Sequence, residues 1–275
     1  LYATGENLQG NFFPWHWHGA FEIDLVTGCD TRFDFEGGSL YIPAGNAVFI
    51  NTQKIHAYTP ANPVNYKTYA LLFEPVLLAG QYNSDIFQRY ILPVMNSAIF
   101  AVEISAADPA LACVEEIIRL AKEEPQYYEL RIRTKLEEFW CFLMDKLAQI
   151  YGDEKSPVWK KNLGHKEDSV RIKLMLNYIH AHYAESLTLG MIASAASISV
   201  RECSRCFLRS IRQSPMDYVN TYRIQMALDL LGSTDYSVTE ISERCGFSSV
   251  SYFGKVFRQH MGTTPGEYRS RRFSH

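Results

Sequence analysis

Four side chains near the start of the chain could hold a metal ion or polarise a bound molecule. They are His16, His18 and Glu22 in HWHGAFE, and His56 further on in INTQKIHAY. Imidazole nitrogens with a carboxylate suit ions such as Mn, Fe or Zn. His16 and His18 are two apart, so a β-strand puts both on one face, and an unbroken strand brings Glu22 to that face as well. The same groups could instead satisfy one another, or bind a small molecule. Aromatic side chains crowd this region: Trp15, Trp17, Phe21, Phe33, Phe35, Tyr41 and Tyr58. With Arg32, Glu22 and His56 as polar points, that is the make-up of a ligand pocket, mostly apolar with a few placed polar groups. The mix suits a sugar or a small acid. Contacts to such an effector, a sugar by expectation, are assigned to Trp15, His16, Trp17, His18, Glu22, Arg32, His56 and Tyr58. No cofactor and no catalytic residue are expected. A metal, if one binds, would take His16, His18, Glu22 and His56.

A second kind of chemistry is written at the other end. In GFSSVSYFGKVFRQHMGTTPGEYR, residues 246–269, Phe253, Val256 and Phe257 recur at helical spacing. The opposite face carries Val250, Ser251, Gly254, Lys255 and Arg258, small or basic, with no carboxylate. Small residues let a helix lie deep in a groove, and basic ones answer phosphate. Upstream, Val238, Ile241 and Cys245 mark a shorter helix, and Gly246 makes the turn between the two. This unit occurs twice. Leu189, Ile192, Ala196 and Ile198 precede Val238, Ile241, Cys245 and Phe247 by 49 residues, and Phe207, Pro215 and Tyr218 precede Phe257, Pro265 and Tyr268 by 50. One extra residue therefore sits in the second turn. Residues 216–231, apolar on several faces, read as a buried helix joining the two. Charge follows the division. From His165 onward there are 14 Lys+Arg against 10 Asp+Glu, although the whole chain carries −3. A basic C-terminal third on an acidic partner points to nucleic acid.

Residues 170–272 resemble the DNA-binding domain of AraC-type transcription factors. The resemblance rests on Arg223-Ile-Gln-Met-Ala227-Leu-Asp-Leu230-Leu231, Ile241, Gly246-Phe247, Tyr252-Phe253, Phe257, Gly262-Thr-Thr-Pro265 and Tyr268-Arg269. The first unit departs from the pattern at Cys203, Cys206 and Ser197. The resemblance implies that DNA contacts come from Arg201, Ser204 and Arg205 in the first recognition helix. In the second it implies Val250, Ser251, Gly254 and Lys255, and Arg209 and Arg258 are added to the expected DNA-binding set as basic residues of the same two helices. The His and Glu set is similar to the metal motif of cupin barrels. A cupin metalloenzyme, isomerase or dioxygenase, fused to a DNA-binding domain is therefore the alternative reading. The main reading is a transcription regulator and not an enzyme.

These sites need elements to hold them. From Trp15 to Phe73 aromatic and β-branched residues are broken by Gly28, Gly37-Gly38, Pro43 and Gly45, which reads as a small barrel or sandwich of short strands. After Pro75 the pattern turns helical. Leu136, Trp140, Leu143, Leu147 and Ile150 form a heptad-like seam. It could pack on the barrel or pair with its twin. The expectation is the second, a homodimer through residues 127–151. The expected fold is α+β and multidomain: a cupin-like effector barrel (1–105), a helical dimerisation segment (106–151), a linker (152–168) and an all-α domain with two helix-turn-helix units (169–275). Double-stranded DNA, a small-molecule effector and RNA polymerase are the expected partners. No membrane span and no secretory leader pattern are legible, and the cytoplasm is expected. Six Cys in 275 residues do not make a disulfide framework, and Cys203 and Cys206 read as packing residues.

Overall fold

The computed structural model describes residues 2–5, 13–62, 66–152 and 166–272. The chain divides into two compact units, one within Leu1–Gln9 and Trp17–Gly164, the other within Gly10–His16 and His165–His275.

Among the described residues nine strands form: β1 (Tyr2–Gly5), β2 (Phe13–His16), β3 (Phe21–Thr27), β4 (Thr31–Phe35), β5 (Gly38–Ile42), β6 (Ala47–Ile50), β7 (His56–Pro60), β8 (Lys67–Phe73) and β9 (Ala101–Ile104). They form a five-stranded sheet in the order β1-β8-β3-β6-β9 and a four-stranded sheet β2-β7-β4-β5. β3 is central. Glu22 lies between Ile50 and Leu72, and Asp24 between Val48 and Ala70, in antiparallel register. Strand alternation then sorts its side chains. Phe21, Ile23 and Leu25 enter a large apolar cluster with the helices that follow, while Glu22 and Asp24 point to the other face.

Those helices are α1 (Val76–Ala79), α2 (Leu92–Asn96), α3 (Pro109–Glu123) and α4 (Tyr128–Tyr151), with a π-helical turn at Phe87–Ile91. The α4 seam corrects the sequence reading. Leu136, Trp140, Leu143 and Leu147 are buried within the chain, whereas Ile150 is 53% exposed. Trp140 lies 4.9 Å from the Phe21 ring and 5.9 Å from that of Phe49. The heptad spacing is real, but its partner is the outer face of the five-stranded sheet and not a second copy. A sheet face is as good an acceptor for an apolar stripe as another helix.

The second unit holds α5 (Lys166–His182), α6 (Leu189–Ala195), α7 (Val200–Ile211), α8 (Pro215–Ser233), α9 (Val238–Arg244), α10 (Val250–Met261) and α11 (Pro265–Arg272). Each copy opens on side-chain caps, Thr188 and Ser199 in the first, Ser237 and Ser249 in the second, each accepting a backbone N–H bond from three positions on. α6 and α9 start 49 residues apart, α7 and α10 start 50 apart, so the extra residue lies in the turn. α8 is buried on several sides: Ile224, Ala227, Leu228 and Leu231 pack with Ile241, Phe247, Phe253 and Phe257. Cys203 and Cys206 are fully buried free thiols, pushed up to about 11 by burial. The expected linker falls largely on residues 153–165, outside those described, and residues 166–168 already begin α5.

Candidate functional site

His16 closes β2, His18 sits in the turn that follows, Glu22 is the second residue of β3, and His56 opens β7. The strand expected to run through His18 is broken at residues 17–20. The turn nevertheless brings the His18 Nε2 to 2.8 Å from the Glu22 Oε2, and the His56 Nε2 lies 2.9 Å from the same oxygen. One ligand atom from each of His16, His18, Glu22 and His56 lies within 4.8 Å of the others. Every imidazole is held from behind. The Nδ1–H groups of His16, His18 and His56 donate to the carbonyls of Pro14, Ala20 and Lys54, at 2.9, 3.0 and 2.9 Å. Glu22 is 4% exposed and His56 2%. Burial alone would lower the His18 pKa, but the bond to Glu22 and its charge outweigh this and raise it.

Two residues in front of this cluster were missed by sequence reasoning. Asp24 is 1% exposed, and its carboxyl meets no donor among the described residues. Burial, then the charge of Glu22, hold its pKa well above the usual carboxylate range, and in the protonated form it can donate to Glu22. Tyr66 packs on Tyr58 with ring centroids 5.9 Å apart, and Tyr58 on Phe33 at 5.4 Å. Asp24 was findable, being an even step beyond Glu22 on one strand; Tyr66 had no such signal. Trp15 is buried in β2 and Trp17 is half-buried. Arg32 is corrected: β4 turns Thr31 and Phe33 inward, so Arg32 points out and pairs with Asp34 at 3.0 Å. Tyr41, opposite it in register, is 69% exposed.

In the helical unit, Arg201 and Arg205 are exposed on α7. The Ser204 hydroxyl donates to the Val200 carbonyl of its own helix. Arg209 bridges Asp168 at 2.9 Å and Glu202 at 2.6 Å, tying α7 to the start of α5. On α10, Val250, Ser251, Lys255 and Arg258 are exposed. Gly254 has open space where a Cβ would stand, and a surface groove of about 480 Å³ runs along Gly254, Lys255, Arg258, Gln259 and Thr264. Within the helical unit, α8 and the α9–α10 turn meet the α5–α6 connection at one junction. The buried Arg223 of α8 donates from Nε to the Tyr183 carbonyl (2.8 Å) and from a terminal nitrogen to that of Glu185 (2.7 Å). Gly246, with φ +75°, presses on the same stretch.

Comparison with known proteins decides the assignment. The AraC-like ligand binding domain matches residues 1–139, and a helix-turn-helix domain matches residues 192–271. The chain belongs to the AraC family of transcription regulators. An HTH-type transcriptional regulator of Bacillus subtilis, YdeC, is 30% identical over 272 residues, covering 97% of this chain and 89% of its own. The HTH-type transcriptional activator RhaS of Salmonella dublin is 24% identical, covering 98% and 92%. Among solved structures, ToxT of Vibrio cholerae aligns over 97% of this chain and 95% of its own, with a TM-score of 0.52 at 13% identity. ToxT bound to an unsaturated fatty acid aligns at 0.50 and 14%, over 98% and 92%. At such identity these show the fold alone. As an AraC-family regulator the chain is a DNA-binding transcription factor with a ligand-binding domain, and its relatives are regulators and not enzymes. Among the described residues no helix is long and apolar enough to cross a membrane.

Proposed function

We propose that this regulator binds an uncharged, hydroxyl-rich effector, a sugar, in the interior of its β-domain, and adjusts transcription from paired sites on DNA. The carrying observation is the acidic interior: Glu22 and Asp24 both face it, with the hydroxyls of Tyr58 and Tyr66 nearby. Carboxyl groups there repel the head of a fatty acid and accept from hydroxyl donors. Arg32, the cation that could have received an acid, is outside. Phe33 and Tyr58 supply the apolar face on which a sugar ring stacks. A calorimetric screen of sugars against Glu22→Ala and Asp24→Asn tests this. Loss of the bond to the Glu22 carboxylate weakens binding by about 1.5–3 kcal/mol, and loss of a bond to the neutral Asp24 carboxyl by about 0.5–1.5 kcal/mol, with DNA binding retained. Tight binding of long-chain carboxylates in place of sugars refutes it.

The two recognition helices read successive major grooves about 34 Å apart. Arg205 is the base-reading residue and Arg201 supports it. Val250, Ser251 and Gly254 let α10 sit close, and Lys255 and Arg258 meet phosphate. Arg205→Ala should cost about 1–3 kcal/mol on the cognate site only. Equal loss on random DNA removes the assignment. The regulator acts in the cytoplasm as a homodimer and contacts RNA polymerase. Since the α4 seam is covered, the dimer contact falls to the outward face of residues 127–151, where Tyr127, Leu130 and Ile150 are exposed.

A further inference from the structure

We infer that the second recognition helix, α10, reads thymine, with Val250 and the bare turn at Gly254 taking the C5-methyl group of that base in the major groove. This rests on the placement of α10 in the groove proposed above, and adds which base chemistry that head accepts. The first observation is a glycine that the fold does not ask for. Gly254 lies inside the helix Val250–Met261, where glycine is among the poorest helix formers. A Cβ there would meet nothing within 4 Å among the described residues, and the backbone is not left-handed. Neither packing nor conformation accounts for the residue. A surface outside the chain that must come close does.

The second observation is what the glycine leaves uncovered. Side chains on a helix lean toward its N-terminus, so residue i+4 lies over residue i. With no side chain at 254, Val250 stays 38% exposed where the helix opens. The N-terminal residues of a recognition helix are those that meet base edges. A lone surface valine needs no explanation. Here valine, glycine and Ser251 form one shallow step without a long donor or acceptor. The Ser251 hydroxyl can both donate and accept, so it does not choose between bases. Tyr252, also exposed in this turn, leans to α8, where its hydroxyl accepts from the Asn220 amide at 3.0 Å. The cations lie further along, where Lys255 and Arg258 line the groove that runs to Thr264.

Among the bases only thymine shows a methyl group in the major groove; cytosine shows an amino donor, and the purines show the N7 acceptor. Against Val250 a methyl group buries apolar surface, whereas an amino group or N7 loses water and finds no partner there. The first copy supplies the contrast. Val200 stands at the same register, 50 residues earlier at the start of α7, and is exposed as well. The counterpart of Gly254 is Ser204, however, and beside it stand Arg201 and Arg205, the side-chain type that suits guanine. The two heads ask for different chemistry, guanine acceptors in the first half-site and thymine methyls in the second.

In the test, full-length protein selects its site from a pool of random duplexes. Each thymine of the selected site is then replaced by deoxyuridine, which lacks only the methyl group. Fluorescence anisotropy should show binding about fourfold weaker at one or more positions, the effect of one buried methyl group. In Val250→Ala the same replacements should have no effect, whereas in Arg205→Ala the effect should persist. Gly254→Ala separates the groove from the fold: the helical unit should melt at a higher temperature and yet bind the selected site more weakly. A pool that yields no preferred sequence refutes the DNA placement and this inference together. A preferred sequence without thymine, thymines that all tolerate deoxyuridine, an effect that survives Val250→Ala, or undiminished binding by Gly254→Ala overturns the thymine assignment and leaves the placement standing.

Discussion

Adding one methyl group at Gly246 should loosen the second helix-turn-helix unit and leave the β-domain untouched. The residue has φ +75°, and a Cβ there would lie 2.6 Å from the Tyr183 oxygen and 2.8 Å from the carbonyl carbon and oxygen of Ala184. Two costs add. A left-handed backbone costs an L-residue about 1–2 kcal/mol. Overlap with backbone adds about 1–3 kcal/mol, because the Tyr183 carbonyl cannot retreat without lengthening its bond to Arg223. Gly246→Ala is thus expected to cost about 2–5 kcal/mol, a large share of a domain's total stability. The chain has two units, so one global transition is a poor measure. Hydrogen exchange read by mass spectrometry on peptides from α9 and α10 resolves the effect locally. Protection there should fall about thirtyfold or more. The equivalent position in the first copy supplies the opposite sign. Ser197 has φ +54°, so Ser197→Gly removes strain and should slow exchange in α6 and α7 by about half to one kcal/mol. Unchanged exchange in Gly246→Ala, or faster exchange in Ser197→Gly, refutes the steric reasoning.

His180 is held at about 4 by burial. Its unfolded value is about 6.5, so its contribution is complete above that pH and is lost as pH falls toward 4. The slope totals about 3 kcal/mol, and His180→Gln should flatten it in thermal melts of the helical unit. Leu143→Glu with Leu147→Glu, both at fully buried positions, should unfold the β-domain; a folded monomer by ultracentrifugation would return the seam to the dimer. Arg258→Ala should lower the salt slope of DNA binding by about one, whereas Arg209→Ala should leave it unchanged, because that guanidinium already faces Asp168 and Glu202.

What the sequence made legible is what periodicity and local chemistry control. The duplicated unit and its one-residue offset are visible because each helix carries its own apolar stripe. The seam of α4 was visible as a stripe, but a stripe does not name its partner, and here the partner is Phe21 and Phe49 from strands far back in the chain. Arg32 went astray for a related reason. The composition around it is that of a pocket, yet a strand alternates, and which phase faces inward depends on pairing with β5 and β7. The His and Glu set was found by spacing, though the strand breaks before His18. The carbonyls of Pro14, Ala20 and Lys54 are backbone atoms and leave no mark in residue identity. Arg209 is the converse case: a basic residue on the right helix, paired with acids that lie seven and forty-one positions away.

The different side chains on the two copies give the molecule a direction. Two identical heads on one rod could be laid on a duplex either way round. Here one head offers Arg201 and Arg205, while the other offers Val250, Ser251 and Gly254 beside Lys255. Their order along α8 is fixed by the chain. If both heads read bases as proposed, a target turned end for end shows each head the bases meant for the other, and one regulator chain treats a sequence and its inversion as different words. An operator for such a protein has a front and a back, and a promoter beside it stands either ahead or behind.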